Sequence, residues 1–261
     1  MTDLGVDPRL ALLGLPVGLL VGVTGMGAGA LMAPSLIFLF DVPAVVAVGT
    51  DLAFSAVTKS VAALHHWRRG NVDLGLALRL AAGSTPGALA AVTVTERFKA
   101  GWLADPELVI RKALGVLLIL VGSVILWQLV HYIRGAGRPA APAAAARRWL
   151  DVAVAAVIGF PVGLTSVGSG SLVVAWLGVA HVLPARVVVG TDLFNAFLLT
   201  ATASLAHVQV GNVDPRLMAN LLAGSVPGIL LGTHLTVRVP NAALRGCLAV
   251  VLVAAGLSLI L

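Results

Sequence analysis

Asp51 and Asp192 each fall in a Gly-Thr-Asp-Leu tetrad inside a long apolar run, and Lys59 follows eight residues after Asp51 in VVAVGTDLAFSAVTKSVAAL. A buried carboxylate in a bilayer costs roughly 2.5 to 3.5 kcal/mol on insertion scales unless it is neutralised, paired or hydrated. Three readings stand for each aspartate. It is a proton or cation relay, a partner for a basic group, or a cap for free N–H groups beside Thr50 and Thr191. Lys59 shares a helix face with Asp51 at a separation of about 12 Å along the axis, too far for direct contact. Its ammonium either draws an anion inward or snorkels to the interface near Trp67.

The second chemical feature is a pair of small-residue breaks in hydrophobic sequence, Gly25-Met26-Gly27 with Gly29, and Ser166, Gly168, Ser169, Gly170 and Ser171. Glycine lets a backbone approach a ligand closely, serine adds a hydroxyl donor, and a helix starting at such a break presents unpaired N–H groups to an anion. Close packing of helices through small residues is the structural alternative. Asn195, four residues after Thr191 and three after Asp192, shares their helix face, and with Thr50, Thr191, Lys59 and both breaks it completes a candidate substrate-binding set. Asp51, Asp192, His66 and His207 form the candidate coupling or gating set. A histidine at a span end is more often an interfacial polar residue than a proton shuttle. No HExxH or similar spacing occurs, and the single cysteine, Cys247, excludes a Cys-based metal site, so neither a metal nor a cofactor is expected.

These groups need a membrane around them. Of 261 residues, 59% are hydrophobic and 11% charged, more apolar surface than a water-soluble core of this size can hide. The net charge of +6 is spread over single or paired basic residues at the ends of apolar runs, which suits membrane topology and not nucleic acid. The N-terminal run carries Asp3 and Asp7, the wrong charge for a secretory leader, and is expected to be retained.

The chain is organised as a duplication. Gly18 to Leu89 aligns without a gap to Gly159 to Leu230, with about 31 of 72 positions identical. Apolar segments near residues 8–23, 27–41, 44–66, 73–95 and 108–132 are followed by five more near 151–164, 168–183, 186–208, 215–237 and 241–261. Two in each half are about 15 residues long, short of the roughly 20 that cross hydrocarbon. The predicted fold is an all-α polytopic membrane protein of two inverted-topology repeats, 1–133 and 150–261, with short broken helices meeting at the midplane. A cytoplasmic linker at 134–149 joins them.

An odd number of crossings in each half, five or three, inverts the second copy. Arg68 and Arg69 of the first copy have become Gln209 and Val210 in the second, the difference expected between cytoplasmic and external loops. That orientation places the four-arginine linker inside and the termini outside, with Arg97, Lys99, Arg111 and Lys112 on the outer side as the opposing signal. Trp67, Trp102, Trp127, Trp149 and Tyr132 lie near segment ends as interfacial anchors.

The run Gly22-x-x-Gly25-x-Gly27-x-Gly29 with Pro34, the Ala-Val-Gly-Thr element at Ala47 to Thr50, His66 to Val72, and Gly83 to Gly87 resembles the sulfite exporter TauE/SafE family of bacterial membrane proteins. The resemblance spans both halves. It implies movement of sulfite, organosulfonates or related sulfur-containing anions across the inner (cytoplasmic) membrane. Inverted repeats with broken segments are the architecture of secondary transporters, so alternating access is the expected mechanism, with a proton or sodium as the candidate coupling ion. Where this family usually has a small residue after Gly-Thr, this chain has Asp51 and Asp192. A passive anion channel would use the same donors. An intramembrane enzyme would need a nucleophile and base pair or a metal triad, and no such spacing is present. The expected partners are a small anion and the lipid bilayer; the sequence sets no oligomeric state.

Overall fold

The computed structural model describes residues 8–24, 29–102, 105–133, 144–235 and 241–261. Gly25, Met26 and Gly27, and the linker up to residue 143, lie outside the described residues. Ten α-helices run in order: α1 Pro8–Thr24, α2 Gly29–Phe40, α3 Ala44–Arg68, α4 Leu74–Arg97, α5 Pro106–Ile133, α6 Ala144–Thr165, α7 Leu172–Ala180, α8 Ala185–Gln209, α9 Pro215–Leu235 and α10 Asn241–Ile260. Among the described residues there is no strand. The chain is all-α, and Ala44–Arg68, Glu107–Val130, Arg148–Thr165 and Ala185–Gln209 are long and apolar enough to cross a membrane.

Proline sets the short helices' ends. Pro43 and Pro184 each precede a long helix with extended ψ (136° and 143°), and the residue before a proline is pushed out of the α region. So α2 and α7 stop after 12 and 9 residues. One boundary differs from the sequence reading. Helix α6 begins at Ala144, so residues 144–149 are helical where a linker was expected; Ala144-Ala145-Ala146 has the highest helix propensity of any residue type and extends the span upstream.

Small residues bring the helices together. A side chain on Gly18 or Gly14 would strike the backbone of Ser225 in α9, and one on Gly159 would strike Ser84 in α4. Gly83 and Gly87 in turn lie on α6, and Gly224 and Gly228 on α1. Each contact has its partner at the equivalent repeat position, so α1 packs on α9 as α6 packs on α4. Gly115 of α5 and Gly256 of α10 face each other, with added β-carbons 2.7 and 2.6 Å from the opposing carbonyl oxygens. That pair lies beyond the stretch over which the two copies align by sequence.

The two long equivalent helices are antiparallel. Gly49, early in α3, abuts the Asn212 carbonyl just past the end of α8, while Gly190, early in α8, abuts the Asn71 carbonyl just past the end of α3. Arg68 and Gln209 therefore sit at opposite ends of this pair.

Candidate functional site

The second break is built by backbone geometry. Helix α6 ends at Thr165, Ser166 takes the left-handed conformation (φ 63°), and Gly168 follows at φ 94° before α7 begins. The Thr165 hydroxyl donates to the Pro161 carbonyl at 2.8 Å and accepts the Val167 N–H at 3.3 Å, while the Ser166 N–H closes on Val162 at 2.7 Å. The Leu172 N–H reaches the Gly168 carbonyl at 3.1 Å. Among the described residues, the N–H groups of Ser169, Gly170 and Ser171 find no carbonyl acceptor, and the Ser171 hydroxyl makes no capping bond. The loop is nonetheless inside the protein: Ser166, Ser169 and Ser171 are all buried. Gly29 begins α2 at the equivalent of Gly170.

Lys59 reaches this loop from the other repeat. Its side chain is 4% exposed and its ammonium donates to the Ser169 hydroxyl. Trp67, half exposed near the end of α3, marks the interface that Lys59 does not reach for. Among the described residues neither Asp51 nor Asp192 lies within ion-pair distance of that ammonium. Asp51 is 0% exposed and sits in the interior of α3, and among the described residues neither of its oxygens accepts a hydrogen bond, which removes the capping reading for it. Asp192 is also buried inside α8, and its Oδ1 is unpartnered.

The threonines have a reciprocal task. Thr191 Oγ1 accepts the Asp73 N–H and Thr50 Oγ1 accepts the Asp214 N–H, both at 3.0 Å, fixing the starts of α4 and α9 to the helices that carry the aspartates. Asn195 is fully buried and accepts the Ser84 hydroxyl at 2.9 Å, leaving its own Nδ2 unpartnered. His66 is half buried with Nδ1 unpartnered. His207 is 1% exposed, a buried position where the sequence suggested an interfacial one, 3.3 Å from Asn212 Nδ2 and 3.4 Å from the Gly163 carbonyl.

Several polar residues in the interior had no functional reading from sequence. Asn212 joins His207 to Glu96 (2.9 Å) and Lys99 (2.8 Å), a network at the end of α8. Asp151 accepts the Trp176 indole N–H at 3.0 Å and contacts His181 Nε2 at 2.8 Å, tying α7 to α6. Ser84 was visible as part of a repeated block, with Ser225 its equivalent; Asp151 had no such signal.

A duplicated, all-helical, membrane-spanning scaffold with buried charge beside a broken helix is the architecture of a membrane transporter. The chain belongs to the sulfite exporter TauE/SafE family, whose profile matches residues 10–259. It is 39% identical over 261 residues to the probable membrane transporter protein YjnA of Bacillus subtilis (strain 168), covering 96% of this chain and 98% of that one. Identity to the probable membrane transporter protein YunE of the same organism is 28% over 275 residues, with 96% of each chain covered. No solved structure matches significantly. The protein is a multi-pass membrane transporter, not an enzyme.

Proposed function

We propose that this transporter moves a sulfur oxyanion, sulfite or an organosulfonate, across the cytoplasmic membrane by alternating access between its two inverted repeats, coupled to a cation. The observation that carries the reading is the bond from Lys59 of one repeat to Ser169 on the helix break of the other. A buried ammonium, a serine-lined loop and unpaired N–H groups at a helix start supply the donors that an anion leaving water requires. The anion would displace the Ser169 hydroxyl from Lys59 and bind between them, with the Ser171 hydroxyl and loop N–H groups completing its shell. Asp51 and Asp192 would repel an anion in direct contact, and stand one layer behind as the coupling groups. The antiparallel arrangement of α3 and α8 supports inversion, because it gives the same residues opposite exits as the repeats rock.

Proteoliposomes loaded with sulfite test this. Saturable flux that accumulates the anion against its gradient when a cation gradient is imposed is the expected result. Flux that only follows the anion's own gradient would make the protein a channel.

A further inference from the structure

The repeats differ where their aspartates sit. In the first, Asp51 is followed one turn later by Ser55, on the same helix face, and the Lys59–Ser169 bond seats the loop that carries Ser166 against this helix, with the Ser166 hydroxyl beside the Asp51 carboxylate. In the second, the positions equivalent to Ser55 and Ser166 are Ala196 and Gly25, so Asp192 has neither hydroxyl.

Asp51, Ser55 and Ser166 are 0%, 1% and 1% exposed, and Asp51 Oδ1 and Oδ2, Ser55 Oγ and Ser166 Oγ all lack a hydrogen-bond partner among the described residues. Four unsatisfied oxygens in one buried neighbourhood are costly as they stand. An all-oxygen set with one negative charge matches a hard monovalent cation, which needs no nitrogen or sulfur ligand. Ser166 also follows directly on the C-terminus of α6, the negative end of that helix's dipole, and such ends coordinate sodium in broken-helix transporters.

We propose that Asp51, Ser55 and Ser166 form a sodium site. This rests on the transporter reading and names its coupling ion. Because Ser166 and Ser169 belong to one loop, sodium at the first and the anion at the second would share a backbone, and occupancy of one would shape the other.

The test is sodium binding to the purified full chain in detergent, read by calorimetry and by thermal stabilisation with sodium gluconate against choline gluconate, without sulfite. Sodium is expected to stabilise the protein, with affinity reduced about tenfold in Ser55→Ala and in Ser166→Ala, the loss of one ligand to a charged group, and abolished in Asp51→Asn. Ser166→Gly, which copies the other repeat and suits the left-handed backbone, should lose affinity without harm to folding. Ala196→Ser should leave sodium affinity unchanged. Stabilisation that follows pH and not sodium, or undiminished sodium affinity in Ser166→Gly, would overturn the site. Sulfite binding measured on the same samples separates the two claims: sulfite bound without sodium sinks the cation site alone, and sodium bound without any sulfur oxyanion sinks the proposed substrate alone.

Discussion

Thr50 accepts the backbone N–H of Asp214, and the same bond runs from Asp73 to Thr191, at 3.0 Å in both cases. Each repeat thus holds the start of the other's fourth helix, and the exchange sets the two buried aspartates into one interior. Antiparallel packing of α3 and α8 predicts that Arg68 and Gln209 face opposite sides of the membrane. In a Cys247→Ala background, which removes the exposed native thiol, Arg68→Cys and Gln209→Cys should be labelled by an impermeant maleimide from opposite sides of oriented vesicles. Labelling of both from one side would refute the inversion.

Gly49 and Gly190 are predicted to tolerate no side chain. A β-carbon at Gly49 meets the Asn212 carbonyl and one at Gly190 meets the Asn71 carbonyl. Gly49→Ala should cost about 1 to 3 kcal/mol through overpacking, read as a lower thermal midpoint in detergent. Gly178 has nothing within 4 Å of an added β-carbon, so Gly178→Ala should be neutral or stabilising. Equal effects at both would remove close helix approach as the reason for glycine at position 49.

Gly168 and Ser169 should each affect folding and binding together. Valine at Gly168 would have to adopt φ 94°, a conformation costing on the order of 1 to 3 kcal/mol. Gly168→Val should therefore lower stability as well as anion binding, so it is a poor probe of the site by itself. Ser169→Ala removes the hydroxyl that the buried Lys59 ammonium holds, and is expected to lower the thermal midpoint, at a cost of about 1 to 3 kcal/mol, as well as change anion affinity. Unchanged affinity would place the anion elsewhere.

Asp151 should matter through α7. Its carboxylate holds both Trp176 and His181, so Asp151→Ala would strand two donors and cost about 1 to 3 kcal/mol. Asp151→Asn retains an acceptor for the indole and should recover part of the loss. If Asp151→Ala matches the wild-type midpoint, the tie between α6 and α7 contributes nothing to stability.

The helices and the repeat were readable because both are written locally: apolar runs, glycine breaks and Pro43 with Pro184 recur at matched places. The burial of Asp51, Lys59 and Asp192 could be suspected from the apolar sequence around them. What lay across from Lys59 could not. Helical spacing relates it to Asp51 on its own element, whereas Ser169 is 110 residues away and arrives by packing. Asp151 was hidden for the same reason, with partners 25 and 30 residues on. The start of α6 was missed because an alanine run flanked by arginines and prolines has the composition of a linker and the propensity of a helix.

The account's central claim is that Lys59 and the Ser169 loop hold the transported anion. Calorimetric binding of sulfite and of a small organosulfonate to purified wild type, Lys59→Arg and Lys59→Ala tests it most directly. Lys59→Ala should lose at least about tenfold in affinity, the scale of one charge-assisted bond, and Lys59→Arg should retain more of it because the cation remains. Equal and undiminished affinity in both variants would contradict the claim.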